Sequence, residues 1–253
     1  MYALFNENFS SVLEIGQTQI NKTSFTLGDV SRNVEFLINT HQLNKLRFKE
    51  TNICVMNSSF SLIPEAYAVN ESSKLMLQFS SGVGEKVKNA YNVKFNQVNF
   101  SYSIEQELLL TLEKTFKNAT VRHAGAVSIN LLFSNSSLKS CDLLVNYHPG
   151  VFELVAKRNN SLLYYNVFNY ETNEDVLYYL LFMMEQYDLN PLTTKLAIAG
   201  ELDADSDLCK SVKKYIRHVN FAVNDKSFNT SFGQLKLPDH YFFSLTNQHL
   251  CEL

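Results

Sequence analysis

Apolar and polar positions alternate in blocks between residues 142 and 188, and the blocks predict three strands. The first apolar run, 143–145, ends at the segment NYHPG (146–150), whose Asn and Pro-Gly pair are typical of a turn. The segments VFELVA (151–156) and SLLYYNVF (161–168) are rich in β-branched and aromatic residues, which favours two more strands. An antiparallel meander of three strands is therefore predicted here.

The helix after this meander is predicted from its capping residues and its apolar sequence. Thr172 or Asn173 can cap it, and the acidic pair 174–175 puts negative charge in the first turn, where the helix dipole favours it. Apolar side chains then occur on all sides of the helix: Val176, Leu177, Tyr178, Tyr179, Leu180, Leu181, Phe182, Met183 and Tyr187. Such a helix is normally enclosed in a large core, so Tyr179, Leu180 and Met183 are expected to be almost fully buried.

The rest of the second half predicts strands that alternate with helices. The apolar run KLAIA (195–199) is typical of a strand in a parallel sheet. A helix over 206–217, a strand at 219–223 and a helix opened by Pro238-Asp239 follow. This order of elements, with three meandering strands first, is that of the ribonuclease-H-like fold.

The first half carries a comparable but weaker succession of patterns. Strands are predicted at 12–15 and 23–27, and a helix over 33–43 with a cap at Asp29 or Ser31, although NVEFLI within it also fits a strand. Further elements are paired strands at 53–56 and 60–63, a helical turn at 64–68, a strand at 98–102, a helix from a Ser103–Gln106 capping box to 117, a strand at 120–122 and a helix over 125–133.

The polar segment SNSSLKS (134–140) separates the two halves and predicts a domain boundary. Because the first half can be read as a damaged copy of the second, we expect two ribonuclease-H-like domains, 1–138 and 139–253. The predicted fold class is α/β, with mixed sheets flanked by helices.

Composition narrows the classes of protein that this chain can be. A net charge of −3 without a basic stripe argues against nucleic-acid binding. No apolar run is long enough to span a bilayer, and the first residues lack the pattern of a signal peptide, so a cytoplasmic location is expected. Four scattered cysteines fit a reducing compartment better than a disulfide framework: Cys54, Cys141, Cys209 and Cys251.

Familiar catalytic and metal-binding motifs are absent from the sequence. The glycine-rich loop 82–84 lacks the third glycine of a dinucleotide fingerprint and the G-K-[ST] of a P-loop. The six histidines lack zinc-site spacing, and no G-x-S-x-G elbow occurs. The alternating acids at 203–207 lack the glycine and distal glutamate of a calcium loop. No catalytic residue or metal ligand is therefore assigned.

Three segments resemble an uncharacterised bacterial family, domain-of-unknown-function family 3822, in the actin-like ATPase superfamily, which also holds sugar kinases. These segments are FSLIP (60–64), AGEL (199–202) and LPDHYFF (237–243). The resemblance covers nearly the whole chain. It implies two ribonuclease-H-like domains with an actin-like ATPase fold.

The same resemblance implies where a nucleotide would bind. In that superfamily each half holds the ATP phosphates with a strand–turn–strand, typically D-x-G followed by Thr or Ser, whose acid serves magnesium or orients water. Glu14 stands for the usual Asp in the first turn and Asn146 in the second, where Pro149 cannot donate an N–H. With ATP as the candidate cofactor, the implied binding residues are Glu14, Gly16, Thr18, Asn146, Gly150 and, in the adenosine turn, Gly200.

Three interpretations of function stay open. The leading one is a catalytically degenerate nucleotide-binding or regulatory module whose protein partner the sequence does not identify. The second is an active kinase or ATPase in which Glu14 supplies the carboxylate. The third is a structural interaction protein that binds no nucleotide, in which Gly16, Gly150 and Gly200 simply serve turns.

Overall fold

The computed structural model describes residues 1–8, 11–18, 27–68, 70–81, 91–95, 97–224 and 238–250. Its strands are β1 Tyr2–Phe5, β2 Val12–Gly16, β3 Thr51–Val55, β4 Phe60–Pro64, β5 Tyr91–Phe95, β6 Val98–Tyr102, β7 Ala119–His123, β8 Leu143–His148, β9 Val151–Arg158, β10 Ser161–Asn169, β11 Lys195–Gly200 and β12 His218–Phe221. Its helices are α1 Leu27–Thr40, α2 Asn70–Ser81, α3 Gln106–Thr115, α4 Ala124–Ser134, α5 Asn173–Gln186, α6 Asp207–Tyr215 and α7 Phe243–Asn247. The glycine-rich loop 82–84 and most of the predicted strand 23–27 lie outside the described residues.

The second half forms one five-stranded mixed sheet with the order β10-β9-β8-β11-β12. Strands β8, β9 and β10 are an antiparallel meander, and β11 lies parallel to both β8 and β12, as the sequence predicted. The predicted helix cap is also confirmed, because the Thr172 hydroxyl accepts the Asp175 N–H while the Asp175 carboxylate accepts the Thr172 N–H. This reciprocal pair satisfies two backbone donors that no helical carbonyl can reach.

Helices α5 and α6 cover one face of this sheet. Leu180 and Met183 of α5 are almost fully buried, as predicted. Tyr179 is only half-buried, however, and Tyr178 and Phe182 leave 60% and 47% of their surface exposed. The prediction that α5 is enclosed on all sides is therefore wrong, because the helix packs against the sheet through one face only.

The opposite face of the sheet carries α4 and a core that both halves share. Tyr165 of β10 is buried in an aromatic cluster with three residues of the first half. Its ring centroid lies 4.9 Å from that of Phe60, 5.4 Å from that of Phe100 and 6.3 Å from that of His123. The two halves are thus packed together by side chains that neither could bury alone.

The described strands of the first half form three small sheets. Strand β1 pairs with β2, β3 lies parallel to β7, and β4, β6 and β5 form an antiparallel sheet. The predicted pairing of 53–56 with 60–63 is wrong, since these strands belong to different sheets. The Asn57 side chain explains the separation: it donates to the Ser103 carbonyl and accepts the Ser59 N–H, which directs the chain away from a hairpin.

Other differences in the first half concern helix starts. Helix α1 begins at Leu27, so Asp29 and Ser31 lie inside it, and the strand alternative for NVEFLI is wrong. Helix α3 begins at Gln106 without a side-chain cap, because the Ser103 hydroxyl is hydrogen-bonded to that of Ser59 (2.5 Å). Strands β1 and β5 and helix α2 were not predicted.

The segment 134–140 follows α4 and joins the halves. Leu138 within it is buried, and the Ser137 hydroxyl donates to the Asn135 side chain and the Val223 carbonyl. Each described sheet draws its strands from one side of this segment, while the core beneath α4 draws on both. The division into 1–138 and 139–253 remains a prediction.

Candidate functional site

The second predicted phosphate turn begins at Asn146, near the carboxyl end of β8. Asn146 is only 1% exposed and lies directly opposite Glu153 on β9. Its Nδ2 donates to Glu153 Oε2 at 2.7 Å, and its Oδ1 is buried with no hydrogen-bond partner in the described part of the chain. The side chain that stands where the resemblance expects an acid is therefore enclosed by protein.

Glu153 is the centre of a buried polar network that the sequence reasoning missed. Its side chain is fully buried and accepts two further hydrogen bonds, from the Ser128 hydroxyl (2.8 Å) and the Tyr165 hydroxyl (2.8 Å). Burial, together with the charge and hydrogen bond of Glu153, raises the pKa of Tyr165 well above its usual range. The network joins α4, β8, β9 and β10, and a buried carboxylate with three donors is stable where an unpaired one would not be.

Gly150 completes the tight turn between β8 and β9. Its φ of +81° follows Pro149, and His148 and Val151 form the first strand pair beyond the turn. Proline followed by a residue with this positive φ is the pattern of a type II turn, for which glycine is the favoured residue. The Gly150 carbonyl accepts the N–H of Tyr170 at 3.3 Å.

Gly200, in the predicted adenosine turn, ends β11 directly opposite Tyr147 of β8. A Cβ atom at Gly200 would lie 1.9 Å from the Tyr147 carbonyl oxygen, and its φ is +93°. The N–H of Gly200 donates to the His240 carbonyl (2.7 Å), and the next N–H, of Glu201, donates to the Tyr147 carbonyl (2.8 Å). Both backbone donors that could face a ligand at this turn are therefore used within the protein.

Ionisable and aromatic side chains surround these two turns. His148 Nδ1 lies 3.9 Å from Glu201 Oε1, and both side chains are largely buried. The Tyr170 hydroxyl donates to the His148 carbonyl at 2.9 Å, and its ring lies 5.1 Å from that of Tyr147. Burial, followed by the hydrogen bond with Tyr147, raises the pKa of Tyr170. The loops after β8 and β11 thus contact each other directly.

The first predicted turn follows β2, and its residues form a second polar cluster. The Tyr2 hydroxyl is hydrogen-bonded to Glu14 Oε1 and to His41 Nδ1 (3.1 Å), and His41 Nε2 lies 3.2 Å from the Thr18 hydroxyl. Burial, followed by the hydrogen bond and charge of Glu14, raises the pKa of Tyr2 to about 12. A Cβ at Gly16 would lie 2.3 Å from the Tyr2 ring, so a larger residue there would require the end of the Tyr2 side chain to move.

The six predicted residues thus occur in two groups. Glu14, Gly16 and Thr18 share the cluster around Tyr2, and Asn146, Gly150 and Gly200 lie at the carboxyl ends of β8 and β11. Parallel strands that end together are the usual place for a ligand in an α/β sheet.

The groups around the two turns offer little to a magnesium ion or to ATP phosphates. A magnesium ion needs oxygen ligands with negative charge, and phosphate oxygens need free N–H donors. Asn146 is uncharged and enclosed, and Glu14 is hydrogen-bonded to Tyr2. The N–H groups of Gly200 and Glu201 already donate to backbone carbonyls of the protein. These groups do not fit magnesium-ATP. Among the described residues, no three His, Cys, Asp or Glu side chains are placed to hold a metal ion.

Two solved structures define the class of the fold. A protein with actin-like ATPase fold and unknown function from Bacteroides thetaiotaomicron VPI-5482 has a TM-score of 0.69 and 18% identity, over 92% of this chain and 89% of that chain. A chain of the PilM–PilN type IV pilus biogenesis complex has a TM-score of 0.64 and 8% identity, over 97% and 93%. At these identities the likeness shows the fold alone, and it is the actin-like ATPase fold that the sequence predicted.

A family model identifies the family to which the chain belongs. The model described as "Protein of unknown function (DUF3822)" matches residues 1–219, so this protein belongs to the DUF3822 family, as the resemblance indicated. A comparison with curated proteins found no match. None of the helices in the described ranges combines the length and apolar character needed to cross a bilayer.

Proposed function

We propose that this protein is a catalytically inactive member of the actin-like ATPase fold that acts as a binding or regulatory module. The observation that carries the proposal is the position of Asn146, whose amide is enclosed and donates to the buried Glu153 carboxylate. An acid at this point of the fold would face magnesium or water, whereas this amide is part of the core.

Phosphoryl transfer depends on positioning and on metal-aided neutralisation of charge. Because Asn146 stands in place of the acid, the principal contribution to catalysis is missing. Glu14 provides an acid in the first predicted turn, but its hydrogen bond to Tyr2 holds it in the cluster with His41 and Thr18. Its extra methylene also shifts the carboxylate by about 1 Å relative to Asp, and such a shift can cost roughly a hundredfold in rate. Turnover of ATP is therefore absent, and nucleotide binding at the six predicted residues is weak.

Two further observations support a binding role in a bacterial cytoplasm. One structural neighbour is a complex, of PilM with PilN, so a chain of this fold assembles with another protein there. Cys141 and Cys209 are buried thiols, which fits a reducing compartment. We expect the partner of the present chain to be a protein, and we do not expect it to bind nucleic acid.

The test is magnesium-dependent phosphate release by the purified protein, with Glu14→Gln as the matched variant. We expect release no faster than background for both proteins, and a nucleotide thermal shift that is small and similar with and without magnesium. Turnover near the roughly 1–100 s⁻¹ of kinases, abolished by Glu14→Gln, would overturn the proposal and establish the enzyme alternative. If no nucleotide changes the melting temperature, the remaining interpretation is a structural interaction protein that binds no nucleotide.

A further inference from the structure

The outer face of α5 exposes a pair of aromatic rings on a regular helix. Tyr178 and Phe182 are one helical turn apart, and their rings are stacked with centroids 5.8 Å apart and an angle of 15° between the planes. They are 60% and 47% exposed, while Leu180 and Met183 on the same helix are buried in the core. Adjacent exposed aromatic rings of this kind mark an interaction surface more often than an ordinary solvated one.

The charges around this pair are divided between two helices. The acids of the α5 region, Glu171, Glu174 and Glu185, are exposed, and α5 contains no Lys or Arg. The exposed charges of α6 and the residues after it are mainly basic: Lys210, Lys213, Lys214 and Arg217. Only Asp207, at the start of α6, is acidic, and it is paired with Lys210 at 3.5 Å.

The topology places these two helices side by side on one face. Val176 and Leu180 of α5 share one core cluster with Leu208 and Val212 of α6. Strands β10 and β11 are both parallel to β8, so each helix returns against the strand direction and the two helices run the same way. The Arg217 N–H donates to the Pro191 carbonyl at 3.0 Å, which ties the ends of the two connections together.

We propose that the α5–α6 face is the interface of a two-fold symmetric dimer of this chain. A two-fold axis that lies in the plane of the interface, parallel to the helices and midway between them, places α5 of one copy across α6 of its partner, and the facing helices run in the same direction. The acidic, aromatic helix then faces the basic helix, and symmetry makes the same contact twice. Lys210 and Lys214 of α6 then lie against the rings of Tyr178 and Phe182, where a cation is attracted to the face of an aromatic ring. A helix of one charge beside a helix of the other is self-complementary only in this arrangement.

The size of the surface predicts a weak dimer. With 14 residues in α5 and 9 in α6, a rise of about 1.5 Å per residue and a diameter of about 10 Å per helix, the two helices present roughly 350 Å² on each copy. Specific interfaces normally bury about 800 Å² on each partner, so this one is at the small end. The dimer is therefore concentration-dependent, and because its charged contacts are exposed at the rim, it weakens with salt.

Sedimentation velocity between about 1 and 300 µM tests the proposal, at roughly 50 and 500 mM salt. The acid-reversed variant carries Glu174→Lys and Glu185→Lys, and the base-reversed variant carries Lys210→Glu and Lys214→Glu. We expect the parent to dimerise at the upper concentrations in low salt, with at least about tenfold weaker association in high salt. In each variant α5 and α6 carry charge of the same sign. Every helix in a dimer of that variant would face one of like charge, so each variant alone is monomeric.

An equimolar mixture of the two variants is the decisive sample, since every helix then faces one of opposite charge and the mixture forms heterodimers. Lys45→Glu with Lys49→Glu is the control, because it changes the net charge as the base-reversed variant does at exposed positions outside α5 and α6. This control dimerises like the parent, and circular dichroism melts verify that all variants are folded. A monomeric parent at about 300 µM, a dimer that neither variant disrupts, or a mixture that stays monomeric would each overturn the proposal.

Discussion

Replacing Asn146 with Asp would introduce the acid that the family resemblance implies at this position, and we expect the change to destabilise the protein. The new carboxyl would lie about 2.7 Å from the Glu153 carboxylate in a site that is almost fully closed to solvent. At an effective dielectric constant of about 20, two charges at that distance repel by roughly 6 kcal/mol. Holding one proton on the pair at pH 7 costs less, about 4 kcal/mol, because an unfolded Asp has a pKa of about 3.9. Protonation of the pair costs less than the repulsion, so the free energy of unfolding at pH 7 is expected to fall by about 4 kcal/mol.

This loss has a characteristic dependence on pH. The pKa of the pair is raised in the folded state, so between about pH 5 and 7 the folded Asn146→Asp protein holds about one proton more than the unfolded chain. Stability relative to the parent then falls as the pH rises, by about 1.4 kcal/mol per pH unit. We expect a deficit of about 4 kcal/mol at pH 7 and about 1.5 kcal/mol at pH 5.

Urea unfolding followed by far-UV circular dichroism, at pH 7 and pH 5, measures both values. Asn220→Asp is the matched control, because Asn220 is exposed on β12 and the same change there costs little. If Asn146→Asp unfolds with the parent at pH 7, the amide is not enclosed against a carboxylate. An acid could then stand at this position, contrary to the proposed inactive site.

Two other substitutions test the packing of the second half. Leu180→Ala should lower the free energy of unfolding by about 2–5 kcal/mol in urea melts, because the side chain is 1% exposed. The control Tyr178→Ala, on the outer face of α5, should change it by less than about 0.5 kcal/mol. Coincident melts of Leu180→Ala and the parent would show that α5 is misplaced. Gly200→Ala should cost more than about 3 kcal/mol in the same assay, because its Cβ would meet the Tyr147 carbonyl at a positive φ; a cost under about 1 kcal/mol would contradict the close approach of β11 to β8.

The second half was predictable from the sequence because its signals are local. The turn at 146–150, the capping residues at 172–175 and the apolar run at 195–199 each determine structure within a few residues. Strand order then follows from short connections and from the crossover helices. The burial of α5 was overestimated, since apolar composition does not reveal whether a second layer covers Tyr178 and Phe182.

The first half was harder because its strand partners are distant in sequence. Strands β3 and β4 are neighbours along the chain, but β3 pairs with β7 and β4 with β6. Helix α2 was missed because Leu75, Met76 and Phe79 are exposed while Leu77 is buried, so apolar positions do not follow the helical period. Long-range pairing and exposed apolar side chains both remove the local pattern on which such prediction depends.

The candidate site shows a different limit. The sequence indicated where the two turns lie, but the roles of Gly16 and Gly200 depend on what approaches them, which is the Tyr2 ring in one case and the Tyr147 carbonyl in the other. Glu153 was missed, although a signal existed: it is the lone acid in the apolar strand VFELVA, and a charge there is normally buried with partners. Which partners it has is decided by α4 and β10, far away in sequence.

The shared aromatic cluster has a consequence for how the chain is made. Phe60 and Phe100 leave the ribosome long before Tyr165, the residue that encloses them in the folded protein. At about 5–20 residues per second, several seconds therefore pass before Tyr165 can cover these two rings. During that interval the part of the core that Tyr165 fills stays open. Folding of the first half is completed only when the meander of the second half has emerged.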